Sequence, residues 1–301
     1  MEILVVGTLA IDSVQTPFGL QEEILGGSAS YFATAASYFS QVGIVGVIGH
    51  DFPQEHLTFF KSRNIDTTGI CTLDGKTFRW SGRYDDNLNI AHTLETQLNV
   101  LAQFRPELPP NYRDAEYILL GNIDPALQLM VLEQINNPRL VVCDSMNYWI
   151  QNPQYRKQLE QVLPHVNVLC INDAETRLLA NEYNLVKAAK IIRNMGPRTL
   201  IVKRGEYGAL LFDQDNIFAA PAFPLEEVRD PTGAGDSFAG GMIGFLAKNQ
   251  EINANILRQA VAMGSVIASF AVEDFSLERF KRLNLDEINK RFADYKKLTV
   301  F

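Results

Sequence analysis

The sequence predicts an α/β protein, a Rossmann-like three-layer sandwich whose mostly parallel central sheet is covered by helices on both faces. Two observations support this prediction. Short apolar runs rich in β-branched residues recur along the 301 residues, and segments with helical periodicity separate most of them. Strands that alternate with amphipathic helices form βαβ units, whose right-handed crossovers align the strands in parallel and bury both faces of the sheet.

Each element is predicted from its own period of apolar residues. Seven runs are predicted strands of the main sheet: 3–6, 44–48, 117–120, 140–143, 166–171, 199–202 and 209–212. Four of the segments between them have a clear helical period: 125–135, 154–163, 174–182 and 185–195. Several strands are followed by Gly, Asn or Asp, and parallel strands bring their carboxyl ends to one edge, so we expect a ligand site there. A single such residue could equally be an ordinary turn residue.

Two segments, about 10–25 and 66–98, lack a helical period. The second contains the alternating, aromatic-rich stretch 77–84, which is typical of a strand. We expect these segments to form a small β lid over the ligand edge, where it would exclude water. The chain 1–301 is predicted to be a single domain, with 105–110 leading from the lid back to the main sheet. An exposed lid sheet could also pair with a second copy, which would give a homodimer.

Composition and charge limit the classes of partner. The net charge of −8 argues against nucleic acid, and no run approaches the ~18 apolar residues of a membrane span. The three cysteines lack metal-ligand spacing and are expected to be reduced, buried thiols. With no signal-peptide pattern at the start, a cytoplasmic location is expected. A nucleotide stays compatible with this charge because one small ligand needs only a local positive site.

The strongest chemical signal is the segment 230–241, DPTGAGDSFAGG, followed by the helical run 242–247. A glycine-rich turn at a helix start directs free N–H groups and the helix dipole toward one point. Gly233, Ala234 and Gly235 are therefore predicted to hold a phosphate, or the charge that develops during its transfer. Asp236 lies beside this anion site, where a carboxylate is unfavourable unless it has a function. The function that we predict is general base for an attacking hydroxyl. An isolated Asp in the first turn of a helix could equally be there only because the helix dipole stabilises its negative charge.

This segment resembles the second signature of the ribokinase-like (PfkB-type) carbohydrate kinases, roughly D-[TP]-T-G-A-G-D-x-F. Four other elements resemble that family and occur in its order: 7–12, the pair Gly26-Gly27 with the small-residue helix 28–38, 172–175, and 203–208. The resemblance implies a ribokinase-like fold with a β lid, a small-molecule acceptor, ATP and Mg²⁺, and it also allows a monovalent cation.

The resemblance assigns residues to each ligand. It places the substrate at Asp12, Gly26, Gly27 and Tyr31. It places ATP and its metal at Asn172, Glu175, Lys203, Gly205 and Thr232, with Glu175 as the metal ligand. Taken alone, Asn172 to Glu175 could be only a helix N-cap, Asp12 a turn residue and Lys203 a solvated lysine.

The acceptor end departs from the family pattern. Tyr31 stands where many members have Asn, and a phenol lacks the paired donor and acceptor of an amide. Segment 144–149 lacks the usual Arg, which argues against a phosphorylated sugar, although lid arginines at 79 and 83 could replace it. Sugar and nucleoside acceptors both stay open. The aromatic residues Tyr31, Trp80 and Trp149 would suit the base of a nucleoside but could also be core residues.

Two other functions compete with the kinase. A catalytically idle family member could serve as a nucleotide- or sugar-binding regulatory protein, but an intact Asp236 argues against it. A dinucleotide-dependent oxidoreductase is disfavoured because the first strand leads into Gly7-Thr8-Leu9 and not into G-x-G-x-x-G.

Overall fold

The computed structural model describes residues 1–214 and 216–298. Its strands are, in chain order, β1 (Ile3–Val6), β2 (Ala10–Thr16), β3 (Gly19–Gly26), β4 (Val42–Ile48), β5 (Ile65–Thr72), β6 (Phe78–Tyr84), β7 (Ala91–Gln97), β8 (Tyr117–Leu120), β9 (Leu140–Cys143), β10 (Val168–Asn172), β11 (Thr199–Lys203), β12 (Ala209–Asp213) and β13 (Asn216–Ala220).

Helices follow β3, β4, β8, β9 and β10 and form a run at the end of the chain. They are α1 (Ser28–Ala36), α2 (Gln54–Ser62), α3 (Pro125–Leu132), α4 (Asn147–Gln151), α5 (Pro153–Val162), α6 (Asp173–Ala180), α7 (Leu185–Arg193), α8 (Ala234–Asn249), α9 (Ala254–Ala271), α10 (Glu278–Arg282) and α11 (Leu285–Lys297).

The larger sheet has nine strands in the order β13-β12-β11-β10-β9-β8-β1-β4-β5. Its pairings are parallel except those on either side of β12, which alone runs against the others. All seven predicted runs overlap strands of this sheet. The predicted α/β sandwich with a mostly parallel sheet is therefore confirmed.

Two edge strands show where sequence patterns were insufficient. Residues 66–72 were expected in the lid, but they lie in β5, at one edge of the large sheet. Edge strands are only half covered, so β5 lacks the continuous apolar run by which its neighbours were recognised. The opposite edge strand, β13, was not predicted for the same reason.

Side chains on the two faces of the large sheet belong to two separate cores. In β1, Ile3 and Val5 pack with residues of α1, α8 and α9. Leu4 and Val6, which point to the opposite face, pack with residues of α3, α5 and α7. Alternate residues of a strand face opposite sides, so a strand that is apolar throughout must be covered on both. The three predicted layers follow from this arrangement.

The smaller sheet consists of four strands in the order β3-β2-β6-β7. The chain enters the small sheet directly after β1. In the large sheet, β1 lies between β4 and β8. Strand order reverses direction at β1, and such a switch point opens a crevice at the carboxyl ends of the strands. The hydroxyl of Tyr84 in β6 contacts that of Thr232 at 3.3 Å, which places the small sheet beside the glycine-rich turn.

Other expectations about the whole chain have mixed outcomes. Cys143 and Cys170 are buried free thiols, as expected. Cys71 in β5 is also a free thiol but is exposed, so the prediction that it is buried was wrong. In the part of the chain that the structure describes, no helix combines the length and apolar character that a membrane span requires.

Candidate active site

The glycine-rich turn forms the entry to α8, and its geometry demands glycine. Gly233 is the N-cap residue, with a left-handed backbone (φ 72°). A β-carbon built on it would lie 2.4 Å from ring atoms of Tyr31. Both the positive φ and the contact with the ring exclude a larger residue without movement of the turn. The phenol ring of Tyr31 therefore packs directly against the predicted anion site.

The turn presents free backbone donors. The N–H of Ala234 bonds to the Pro231 carbonyl and that of Thr232 bonds to Asp230 Oδ1. The N–H groups of Gly233, Gly235 and Asp236 find no acceptor among the described residues. Unpaired N–H groups at the start of a helix, together with the dipole of the sixteen-residue α8, make a site for a negatively charged group.

Asp236 lies in the first turn of α8, partly buried, and its carboxylate makes no hydrogen bond within the described residues. Burial raises the pKa of Asp236 to about 7, the charge of Asp144 raises it further, and the ammonium of Lys203 opposes both. A carboxylate with a pKa near neutrality is matched to proton transfer at physiological pH. Its free oxygens are available to an incoming hydroxyl.

A buried carboxylate holds the turn in place from below. Asp230 is fully buried, and its Oδ1 accepts the Thr232 N–H at 2.9 Å while its Oδ2 accepts the Ser276 N–H at 3.3 Å. The Ser276 hydroxyl in turn donates to the Leu25 carbonyl at 2.5 Å, next to the double glycine. The turn, the C-terminal segment and the end of β3 are thus tied together.

These contacts also bear on the monovalent cation that the resemblance allowed. Both carboxylate oxygens of Asp230 accept backbone N–H groups, and the Val272 carbonyl accepts those of Arg229 and Asp230. Each Asp230 oxygen accepts a single N–H and keeps a second lone pair, so the monovalent cation stays a prediction.

Lys203, at the end of β11, reaches across to the turn. Its ammonium is 2.9 Å from Oδ2 of Asp144, which follows β9. The same nitrogen would lie 3.0 Å from a β-carbon built on Gly235. Desolvation is the largest single influence and lowers the pKa of Lys203, but the negative charges of Asp144, Glu175 and Asp236 together outweigh it and raise the pKa above its ordinary value. Lys203 is therefore charged at neutral pH.

Asn172 and Glu175 form a capping box at the start of α6. The Asn172 side chain accepts the Glu175 N–H, and Oε2 of Glu175 accepts the Asn172 N–H, each at 2.8 Å. Burial and then the charge of Asp144 raise the pKa of Glu175 to about 7, against the charge of Lys203. A buried carboxylate in this state would gain from a divalent cation nearby.

This donor set fits Mg²⁺ in the manner that the ion prefers with phosphates, through one or two carboxylates and water. No three His, Cys, Asp or Glu side chains within residues 1–214 and 216–298 converge as a ready-made metal centre. Glu175 is the protein group that the resemblance would give to the metal, alongside the phosphates of a nucleotide.

Asp12 of β2 lies at the other side of the turn. It is 5% exposed, and its Oδ1 has no hydrogen-bond partner among the described residues. Burial raises the pKa of Asp12 to about 8; the N–H of Gly27 opposes this, and the charges of Asp230 and Asp236 add to it. A β-carbon on Gly26 would lie 1.8 Å from Oδ2, so glycine is required for Asp12 to occupy this position.

Aromatic side chains line the same side. The Tyr31 hydroxyl bonds to no described residue, and burial, then the charges of Asp230, Asp12 and Asp236, raise the pKa of Tyr31. In β6, alternate residues share a face, so Trp80, Gly82 and Tyr84 point the same way. The Tyr84–Thr232 contact shows that this face is turned toward the glycine-rich turn.

The indole of Trp80 lies over the backbone of Gly82. A β-carbon there would be 2.1 Å from the ring, and the indole N–H bonds to the Thr93 hydroxyl of β7 at 3.2 Å. This flat aromatic surface, which we call the Trp80 shelf, exists because Gly82 has no side chain.

The predicted site residues differ in how closely they lie to the glycine-rich turn. Thr232 is part of the turn, and Tyr31 and Lys203 contact it directly. Gly205 does not: its β-carbon position is 3.0 Å from the Asn89 side chain, in the loop between β6 and β7. Trp149 is also apart, packed against Tyr148 and Tyr155, with its indole N–H on Asn122.

Sequence reasoning left out four residues that the structure places at the site: Asp144, Asp230, Tyr84 and Ser276. Asp144 directly follows a predicted strand, a signal that was noted but not used. Asp230 begins the glycine-rich segment. For Tyr84 and Ser276 the sequence carried no signal, because their roles depend on contacts with residues 148 and 46 positions away.

Sequence comparisons match most of this chain to a known family. Residues 13–279 match the model of the pfkB family carbohydrate kinases. A cytidine kinase of Thermococcus kodakarensis is 31% identical over 248 residues, which cover 81% of this chain and 87% of that protein.

Solved structures with low sequence identity share the fold. The nucleoside kinase of Methanocaldococcus jannaschii, an archaeal member of the ribokinase family, superposes with a TM-score of 0.78 at 20% identity, covering 98% of this chain and 99% of that one. A putative ribokinase II from E. coli, solved in complex with ATP and Mg²⁺, gives a TM-score of 0.80 at 18% identity, covering 97% of this chain and 99% of that one.

Proposed function

The chain belongs to the pfkB family of carbohydrate kinases, and on that premise we propose that it transfers the γ-phosphoryl group of ATP to a hydroxyl of a sugar or nucleoside. The observation that carries the proposal is the pairing of Asp236, with a pKa near 7 and no bonded partner among the described residues, with three free N–H groups of its own turn. A base for the nucleophile and donors for the transferred group are what phosphoryl transfer requires of a protein.

In the proposed reaction the acceptor hydroxyl gives its proton to Asp236 as its oxygen forms a bond to the γ-phosphorus. The bond from that phosphorus to the bridging oxygen breaks, and its electron pair leaves with ADP. The N–H groups of Gly233 and Gly235 and the Lys203 ammonium stabilise the negative charge on the transferring group. Mg²⁺ held on the phosphates near Glu175 would neutralise part of this charge.

The buried groups around Asp12 support a hydroxyl-rich acceptor. A buried oxygen without a partner costs free energy, and a bound hydroxyl would satisfy it. With its pKa raised to about 8, Asp12 is mostly protonated at neutral pH, so it can both donate and accept a hydrogen bond.

A nucleoside is the acceptor that the Trp80 shelf favours. The shelf offers a flat aromatic face near Asp12, and Asp12 and Trp80 are register partners in the small sheet. A base covers such a face with its whole planar ring, whereas a simple sugar can place only C–H groups on it. The cytidine kinase among the relatives agrees with this choice.

The proposal is tested by measuring ADP formation with MgATP and a panel of acceptors at one concentration: ribose, fructose, inositol, cytidine, uridine, adenosine and inosine. We expect turnover with at least one nucleoside, and a product in which one hydroxyl carries phosphate. Turnover with a sugar and with no nucleoside would retain the kinase and remove the base-stacking role. Nucleotide binding without turnover of any acceptor would favour the idle regulatory protein.

A further inference from the structure

Asp144 and Lys203 form an ion pair that is largely withdrawn from solvent at the phosphate end of the site. The Asp144 side chain is 5% exposed and that of Lys203 is 17% exposed. Oδ2 of Asp144 bonds to the ammonium at 2.9 Å, and Oδ1 accepts the N–H of Ser145 at 2.8 Å. Each oxygen of the Asp144 carboxylate therefore has its own partner. Because the bond to Ser145 fixes the carboxylate, the bond to Oδ2 also fixes the position of the Lys203 ammonium.

The backbone that carries Asp144 is itself held in place. Gln128 of α3 is buried, and its side-chain amide donates to the carbonyls of Gly121 at 2.9 Å and Asp144 at 3.4 Å. The Asp144 N–H bonds to the Leu120 carbonyl at 2.9 Å. These bonds join the ends of β8 and β9, so Asp144 stands on a rigid edge of the large sheet.

The ammonium, in contrast, is directed toward the turn. It would be 3.0 Å from a β-carbon on Gly235, a contact that places its charge against a residue whose own N–H is free. The ammonium therefore lies beside a turn whose own N–H groups are unpaired, an unfavourable approach of like charges that the ion pair alone does not explain. An anion lying between them would be bound by both.

We propose that Asp144 is a positioning residue that holds the Lys203 ammonium beside the Gly235 N–H, where the two donors grip the γ-phosphoryl group of ATP. This inference rests on the proposed kinase function. It adds a residue, Asp144, that acts on the substrate only through another side chain. The pair thus acts as one unit, and an unpaired Lys203 would lose both its fixed position and part of its effect.

The unit is tested by nucleotide binding in an Asp236→Asn background, which removes turnover. ATP and ADP affinities are measured by titration calorimetry for this parent and for three derivatives, Lys203→Met, Asp144→Asn and the double variant. We expect Lys203→Met to weaken ATP binding about 10–100-fold and ADP binding less than about 3-fold, since ADP lacks the γ-phosphate. Asp144→Asn should weaken ATP binding about 3–10-fold, and the double variant no more than Lys203→Met alone.

Folding is controlled separately, because Lys203→Met leaves the buried Asp144 carboxylate unpaired. The double variant removes both charges and should keep the thermal midpoint of the parent better than Lys203→Met does. Glu160→Gln, which removes an exposed ion pair with Arg156 on α5, is the control that should change neither affinity.

The pH profile of turnover in the otherwise wild-type enzyme gives a second readout. Asp236 is surrounded by charged or titratable groups of several elements: Asp144, Lys203, Asp12, Tyr31, Tyr84 and Cys170. Of these, Lys203 favours its ionised form and Asp144 opposes it. The acid limb should therefore move to higher pH in Lys203→Met and to lower pH in Asp144→Asn.

Four outcomes decide the inference. A selective loss of ATP affinity with no further loss in the double variant supports it. Equal losses for ATP and ADP, or losses from the two substitutions that multiply, overturn it and leave the kinase intact. If the parent binds ATP and Lys203→Met does not change that affinity, the inference is likewise overturned and the proposed kinase function is not affected. A wild-type protein that neither binds ATP nor phosphorylates any acceptor overturns both this inference and the proposed function.

Discussion

The proposed phosphate end and the proposed acceptor end of the site are built on different supports. At the phosphate end, Lys203 is paired with Asp144, and Glu175 is locked in a capping box, all at the ends of buried strands of the large sheet. At the acceptor end, Asp12 and Trp80 belong to the small sheet, whose outer strand β7 is exposed along its length. There the Oδ1 of Asp12 has no partner among the described residues.

The polar groups of one end are therefore held by the protein before a ligand binds, and those of the other end gain a partner only from the ligand. Groups fixed before the ligand arrives can stabilise charge without reorganising, which lowers the barrier. Groups left unpaired gain their partner only on binding, which contributes to affinity. We therefore expect substitutions at the phosphate end to change kcat and the affinity for ATP, and those at the acceptor end to change the KM for the acceptor.

The largest effect is expected for Asp236→Asn. The amide keeps the shape but cannot take the proton, so kcat should fall by roughly 10²–10⁴, or about 3–5 kcal/mol of barrier. Steady-state kinetics at saturating substrates measure it, with circular dichroism and ATP binding as the controls for an intact fold and nucleotide site. Near-wild-type turnover would remove Asp236 from the role of base.

Gly233→Ala should break the turn itself. Alanine at φ 72° costs on the order of 1 kcal/mol, and its methyl group would collide with the Tyr31 ring. The displaced N–H groups should lower kcat by about 10–100-fold. Gly19→Ala is the matched control: it also has a positive φ, but nothing lies within 4 Å of the β-carbon position. Equal kcat for the two variants would show that the turn tolerates movement.

Trp80→Ala tests the acceptor end. Loss of stacking should raise the KM for a nucleoside about 10-fold, since one base–aromatic contact is worth about 1–3 kcal/mol, with kcat within about 2-fold. Trp149→Ala, in the aromatic cluster with Tyr148 and Tyr155, should leave that KM unchanged.

The chain has only two tryptophans, so Trp149→Phe leaves Trp80 as the single indole fluorophore. Its emission should change on titration with the nucleoside and not with free ribose. An unchanged emission with a bound nucleoside would place the base away from the shelf.

The smallest effect concerns stability. The pKa of Asp12 is raised from an ordinary value of 3.8 to about 8, so the folded protein binds this proton more tightly than the unfolded chain. The contribution is complete below about pH 4 and is lost as the pH rises through about 8.

Asp12→Asn should therefore be more stable than wild type at pH 8, by about 1 kcal/mol or more, and the gain should shrink toward pH 4. Denaturant unfolding at several pH values measures it. Asp74→Asn, at a fully exposed side chain, is the control that should show no such trend. A gain of equal size at every pH would point to packing and not to the titration of Asp12.

How far the sequence predicted this protein depends on whether a feature is local. The strands β8 and β9 were predicted with their observed bounds, because four apolar residues between polar turns leave little choice. The α8 turn was predicted because its glycines, its aspartate and its helix are contiguous. The edge strand β5 and the contact between Gly205 and Asn89 were not predicted, since both depend on which distant segment lies alongside.

The sequence by itself determined the local features of the proposed phosphate end: the turn 230–236, the capping box and the lysine that ends β11 are each encoded within a few residues. Tertiary structure alone decided that Lys203 meets Asp144, 59 positions away, and that Tyr31 lies against Gly233. Backbone geometry and helix capping are short-range effects, which a pattern of neighbours can carry. Side-chain contacts across strands depend on sheet order and register, which are fixed only when the whole core packs.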